Sequence, residues 1–223
     1  AGKQMANHWL LNAMSLVASN PALLRKLFVW TGQEQHGRYC LRFFKEERWA
    51  NVVVDDLIPC DAMGKPLFAT SADPNELWPM LVEKAYAKLH KCYQSLIRGS
   101  VEYALRDLTG ATVETVALRQ VSDELWAKLR LWVPDTPGTS KGHLVGCSWS
   151  KPTKESVKEG GTLRGVEFAV LHTVLSTVEF QQFKLVRVRN PWGKSYFNGD
   201  WSNGSPVWAK APSGLVEAAV LAS

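Results

Sequence analysis

Apolar residues fill nearly every position of 9–18, Trp-Leu-Leu-Asn-Ala-Met-Ser-Leu-Val-Ala, and only Asn12 and Ser15 interrupt them. A helix that is apolar almost all round belongs inside a domain. The segment therefore predicts a buried helix, with Asn7 as its N-cap and Pro21 just past its end. Residues 38–44 and 49–55 are β-branched or aromatic runs joined by the charged Lys45-Glu-Glu-Arg48, which reads as a hairpin. From 77 to 90 the apolar residues recur at helical spacing, with Pro79 tolerable in a first turn, and predict a second helix.

The composition shifts near Arg98-Gly99-Ser100, which reads as a short connection between two lobes, 1–98 and 99–223. Beyond it, Asp123–Trp132 has a short helical pattern and 144–149 reads as a strand. Residues 150–165, rich in Lys, Glu, Gly and Ser, read as a mobile surface loop. Residues 166–174 and 184–189 then predict two long strands. The second lobe is thus expected to be mostly β, and the whole chain α+β.

With 223 residues, 46% apolar and 21% charged, the chain has the composition of a soluble globular protein or a piece of one. No apolar stretch approaches the ~20 residues of a transmembrane segment. The chain opens Ala1-Gly-Lys-Gln4 and runs straight into a helix, without a secretory signal or an initiator methionine, so a fragment with native sequence before Ala1 is expected. Lys and Arg exceed Asp and Glu by 26 to 21, a formal +5, but the basic residues are scattered rather than gathered on one face, which argues against a nucleic-acid partner. Cys40, Cys60, Cys92 and Cys147 are far apart and form no CxxC pair. Neither a zinc site nor a disulfide framework is indicated, and a reducing intracellular compartment fits best.

Several stretches, taken in order, carry more information than composition does. They are Trp9-Leu-Leu11, Val52-Val-Val-Asp-Asp-Leu-Ile-Pro59, Ser71-Ala-Asp-Pro-Asn-Glu-Leu-Trp78, Glu83-Lys-Ala-Tyr-Ala-Lys88, Asp107-Leu-Thr-Gly110, Leu144-Val-Gly-Cys-Ser148 and Arg187-Val-Arg-Asn-Pro-Trp-Gly193. On them the chain resembles the calpain cysteine protease core from about residue 9 to about residue 208. The resemblance implies a two-lobed papain-like fold, a helical first lobe bearing the nucleophile and a β-rich second lobe, here truncated at its C-terminus.

Such a protease needs a thiolate at a helix N-terminus, where the macrodipole and a nearby imidazolium lower the thiol pKa. It also needs that imidazole as proton carrier and an amide to orient the ring. The family's cysteine follows Gly-Asp and precedes Trp-Leu-Leu; the matching stretch here is Ala6-Asn7-His8-Trp9, so the nucleophile position is His8. The family's histidine follows Lys-Gly; the match is Arg164-Gly165-Val166, so the proton carrier's position is Val166. Only Asn190, with Trp192 beside it, is kept of the Cys-His-Asn set. The oxyanion-hole glutamine falls near Gly2, and Gln4 lies two residues too close to the helix. His172 shares strand parity with Val166 but lies roughly 20 Å further along an extended strand, and His8 is a weak amide nucleophile with no second base in view. The four cysteines are expected as small buried hydrophobes. Loss of two of three catalytic positions, to His and Val, has the look of natural decay rather than an engineered knock-out.

In the family each lobe binds calcium, which takes six or more hard oxygens. Glu76 is the first-lobe ligand retained; in the second lobe the acidic positions correspond to Tyr196 and Asn203, and that site is expected to be lost. No cofactor is predicted for this stretch, calcium remaining open for a longer protein. The expected role is that of an inactive calpain-like pseudoprotease holding a protein partner. Degenerate members are characteristic of trypanosomatid protists, and some associate with the cytoskeleton or cell cortex. The rival readings are a calcium-dependent cysteine endopeptidase with an atypical active site, and a structural segment with no specific ligand.

Overall fold

A computed structural model of the chain describes residues 7–116, 122–133, 142–148, 158–159, 162–163, 172–190 and 199–221. The chain divides into two compact units, Ala1–Thr115 and Val116–Ser223.

In the first unit the apolar run becomes helix α1, His8–Ala18, with Leu10, Ala13, Met14, Leu16 and Val17 buried. Pro21 does more than end it. It opens α2, Pro21–Leu27, whose cap Asn20 accepts from the amides of Ala22 at 3.1 Å and Leu23 at 3.4 Å. A proline in the first turn forfeits no helical hydrogen bond. Strands β1, Phe28–Val29, β2, Arg38–Lys45, and β3, Arg48–Asp55, form an antiparallel sheet in the order β1-β2-β3. The predicted hairpin is β2-β3, closed by Glu46 and Glu47 at φ 50° and 61°. The predicted second helix is α3, Trp78–Leu89, with Pro79 in its first turn. A further helix, α4, Val101–Thr109, starts at Ser100, whose hydroxyl accepts from the Tyr103 amide at 3.3 Å, and stops at Gly110, left-handed at φ 69°.

Because α4 packs on α1 and β2, the first unit runs to Thr115 rather than ending at the expected 98/99 connection. Residues 98–100 lead into a helix of the same unit. Leu10, Val17, Leu41, Phe43, Tyr86 and Leu108 are all buried in this unit.

The second unit contains α5, Asp123–Trp132, as predicted, and β4, Gly146–Cys147, a shorter strand than the 144–149 read from sequence. Short strands β5, Lys158–Glu159, and β6, Thr162–Leu163, pair inside the stretch expected to be a loop; the rest of that stretch within 150–165 lies outside the described residues. The strand expected at 166–174 is described only from His172, where β7, His172–Phe180, begins and continues well past 174. It pairs with β8, Phe183–Arg189, with a bulge between Val174 and Ser176, in a sheet ordered β4-β7-β8. Helix α6, Ser213–Leu221, buries Leu215 with Val178 of β7, and Phe180, Phe183, Leu185 and Trp201 pack around them. Ion pairs Arg130–Glu179 and Asp123–Lys184, each 2.5 Å, link α5 to the β7-β8 hairpin. Both units mix helices with antiparallel sheet, the expected α+β class. Among the described residues no helix is long and apolar enough to cross a membrane.

Candidate functional site

The helix start at position 8 is built from three segments of the first unit. Asn7 occupies the N-cap position, and its carbonyl accepts from the amides of Leu10 and Leu11 at 3.0 and 3.3 Å. Its side chain does not cap the helix. Instead, Asn7 Nδ2 donates to the Glu83 carboxylate of α3, whose other oxygen accepts from the Ala69 amide at 2.8 Å. Asn7 is 3% and Glu83 1% exposed, so this junction is closed to solvent. Burial pushes the Glu83 carboxyl above its ordinary 4.5, a rise the bonds from Ala69 and Asn7 only partly offset.

His8 follows, half-buried, as the first residue of α1. Trp9 is pinned on two sides. Its indole Nε1 donates to the Leu96 carbonyl at 2.9 Å, and its ring meets Tyr86 edge to face at 6.0 Å. Gly99 passes so close to the indole that a Cβ there would lie 2.3 Å from Cε2 and Cζ2.

Every polar side chain of Glu83-Lys84-Ala-Tyr86-Ala-Lys88 has a partner in another element. Lys84 Nζ donates to the Asp55 carboxylate at 2.5 Å and to the Leu57 carbonyl at 2.7 Å, and Lys88 Nζ donates to the Val53 carbonyl at 2.8 Å. Tyr86 donates to Asp107 of α4 at 2.8 Å. Asp107 also accepts from Lys45 of β2 at 2.7 Å, with the His90 imidazole 3.8 Å away. Burial alone would raise the Asp107 carboxyl, but its interactions with His90, Lys45 and Tyr86 outweigh that and hold it below 3.8. Burial and the Asp107 charge push the Tyr86 phenol well up. Sequence reading did not single out Glu83 or Asp107 as functional or structural centres. Their visible signal is that both lie in stretches that carry the family resemblance, and Glu83 also falls on the apolar face of its helical pattern.

The other expected site positions belong to the second unit. Asn190 follows β8 directly and is half-buried. Val166, Trp192 and Tyr196 lie outside the described residues, as do Gly2 and Gln4 of the first unit. His172 opens β7, buried, and is paired in register with Cys147 of β4. Of the positions the resemblance implied for calcium, Glu76 is exposed and accepts from Ser71 Oγ at 2.5 Å, while Asn203 is exposed and carries a neutral amide. Among the described residues, no group of three or more His, Cys, Asp or Glu side chains is placed to hold a metal ion.

The expectation of four buried cysteines holds for Cys40 and partly for Cys147, whose thiol burial pushes up in pKa. Cys60 and Cys92 are instead exposed, because they sit in a loop and at the start of the 3-10 turn Tyr93–Leu96 rather than on a packed face. The Ser95 hydroxyl, 3.4 Å from the Cys92 sulfur, leads the interactions that lower that thiol's pKa.

A family model described as calpain family cysteine protease matches residues 2–219. The calpain-type cysteine protease DEK1 of Arabidopsis thaliana is 36% identical over 207 residues, covering 92% of this chain and 9% of the relative. Calpain-5 of Caenorhabditis elegans is 33% identical over 232 residues, 92% of this chain and 35% of the relative. Calpain-12 of Homo sapiens is 35% identical over 213 residues, 94% of this chain and 28% of the relative. The chain thus spans between 9% and 35% of the length of these relatives.

Proposed function

This chain belongs to the calpain family of cysteine proteases, and from that membership we propose that its core works as a protein-binding or scaffolding module whose protease chemistry has been lost. The observation that carries the reading is the residue at the start of α1. Papain-like acyl transfer begins with a thiolate at a helix N-terminus, and the first residue of α1 is His8. Val166 stands where the proton carrier is expected, and Asn190 alone is retained. Without sulfur and imidazole at those two positions no thioester forms or is resolved. The bonds that hold the start of α1 to α3 and to the Leu96 carbonyl need no thiol at position 8, which supports a folded body kept for binding a polypeptide. The proposed partner is a protein, in the cytoskeletal or cortical setting associated with degenerate calpain-like proteins of trypanosomatids.

The test is restoration. The chain itself should neither cleave casein in calcium nor take up a peptidyl epoxide at position 8. His8→Cys combined with Val166→His should gain epoxide labelling at residue 8, located by peptide mapping because the Cys60 and Cys92 thiols are also exposed. Casein cleavage by the unaltered chain that disappears on His8→Ala would overturn the proposal in favour of an atypical endopeptidase.

Calcium is expected to bind this stretch weakly or not at all, since Tyr196 and Asn203 supply no carboxylate where the second-lobe site needs them. Isothermal titration should give no micromolar-affinity heat; a saturating signal in that range would contradict the expectation.

A further inference from the structure

A carboxylate buried to 1% exposure normally has a cation beside it. Among the described residues Glu83 has two neutral donors instead, the Asn7 amide and the Ala69 N–H. Its neighbour Lys84 is committed to Asp55 and Leu57. The titratable groups near the junction are His8, the residue after Asn7 in α1; Tyr93 of the 3-10 turn, stacked 4.1 Å on Phe68; and Asp55, which carries the same sign. Burial first, then the charges of Glu83 and Asp55, push the Tyr93 phenol up, so it stays neutral and offers Glu83 no counter-charge.

A carboxylate accepts about four hydrogen bonds, and taking it out of water costs several kcal/mol that two neutral donors do not fully return. The neutral acid has no such deficit. Its hydroxyl can donate to Asn7 Oδ1 after a half-turn of that amide, while its carbonyl oxygen still accepts from Ala69. We propose that Glu83 is a pH-sensitive latch: protonated, it holds the start of α1 and the loop at Ala69 against α3, and ionised, it weakens both grips and favours an opened junction in which water reaches the carboxylate. The raised carboxyl sets the direction. The closed state binds the proton more tightly than the open one, so the grip is complete below the ordinary value of 4.5 and is lost as pH rises through the higher folded value. Glu83 is thus a positioning residue for position 8.

Amide hydrogen exchange on the full chain, corrected for the intrinsic rate, tests this between pH 5 and pH 8. Protection of the Ala69 amide and of Leu10 and Leu11 should fall severalfold as pH rises, while amides of β2 keep theirs. Glu83→Gln, a neutral stand-in for the acid, should fold and show flat protection over that range. Asn7→Asp, which sets a second carboxylate against the first, should steepen the fall. Flat protection in the unaltered chain, an unchanged slope in either variant, or failure of Glu83→Gln to fold at pH 5 would overturn the latch.

Discussion

Replacing Asp107 by alanine is expected to cost the first unit about 2–4 kcal/mol, read from the denaturant midpoint. Asp107 is 5% exposed and joins three elements through Lys45 of β2, Tyr86 of α3 and its own helix α4. The two donors would fare differently once it is gone. The Lys45 side chain is 38% exposed and can turn to water, whereas Tyr86 at 1% exposure would strand its hydroxyl in the core. Asp107→Asn keeps an acceptor for one of them and should cost about half as much. Acid provides a second check. Because the folded carboxyl titrates below 3.8, its contribution is present above that value and fades as pH falls through the folded one. The gap between the unaltered chain and Asp107→Ala should therefore narrow in acid; a gap independent of pH would show that lost packing alone is responsible.

Gly99→Ala should be of comparable size. A methyl group here would sit 2.3 Å from Cε2 and Cζ2 of Trp9, far inside contact distance. The indole cannot slide aside without giving up its 2.9 Å bond to Leu96 and its edge contact with Tyr86. Overpacking of this kind, with a lost hydrogen bond and aromatic contact, costs about 2–4 kcal/mol. Thermal unfolding should register it, and Trp9→Phe, a smaller ring, should recover part of the loss in the Gly99→Ala background. An alanine variant that melts with the unaltered chain would mean the ring relocates freely.

Elements with long, strong periodicity were legible in the sequence: α1, α3, α5 and the β2-β3 hairpin stand where their patterns put them. α2 was hidden behind Pro21, read only as a stop. α4 was hidden because residues 98–100 looked like a linker, although Ser100 and Gly110 bracket it as caps. Strand β7 runs past the expected end at 174, and its bulge shifts side-chain parity part-way along, which period-two reading does not anticipate. Position 8 was singled out only through motif order. The junction beneath it was not, since Asn7 meets Glu83 across 76 residues and Lys45 meets Asp107 across 62. Nothing local marks such partners, and Cys60 and Cys92 were misread as buried for the same reason.

The fasteners along α3 draw on Asn7, Ala69, Asp55, Leu57, Val53 and Asp107, and none of them uses the side chain at position 8. Those bonds hold α3 to its neighbours whatever side chain stands at position 8. If position 8 has lost a sulfur, as proposed above, the change leaves these bonds in place, and the first unit can outlast its chemistry as a folded body.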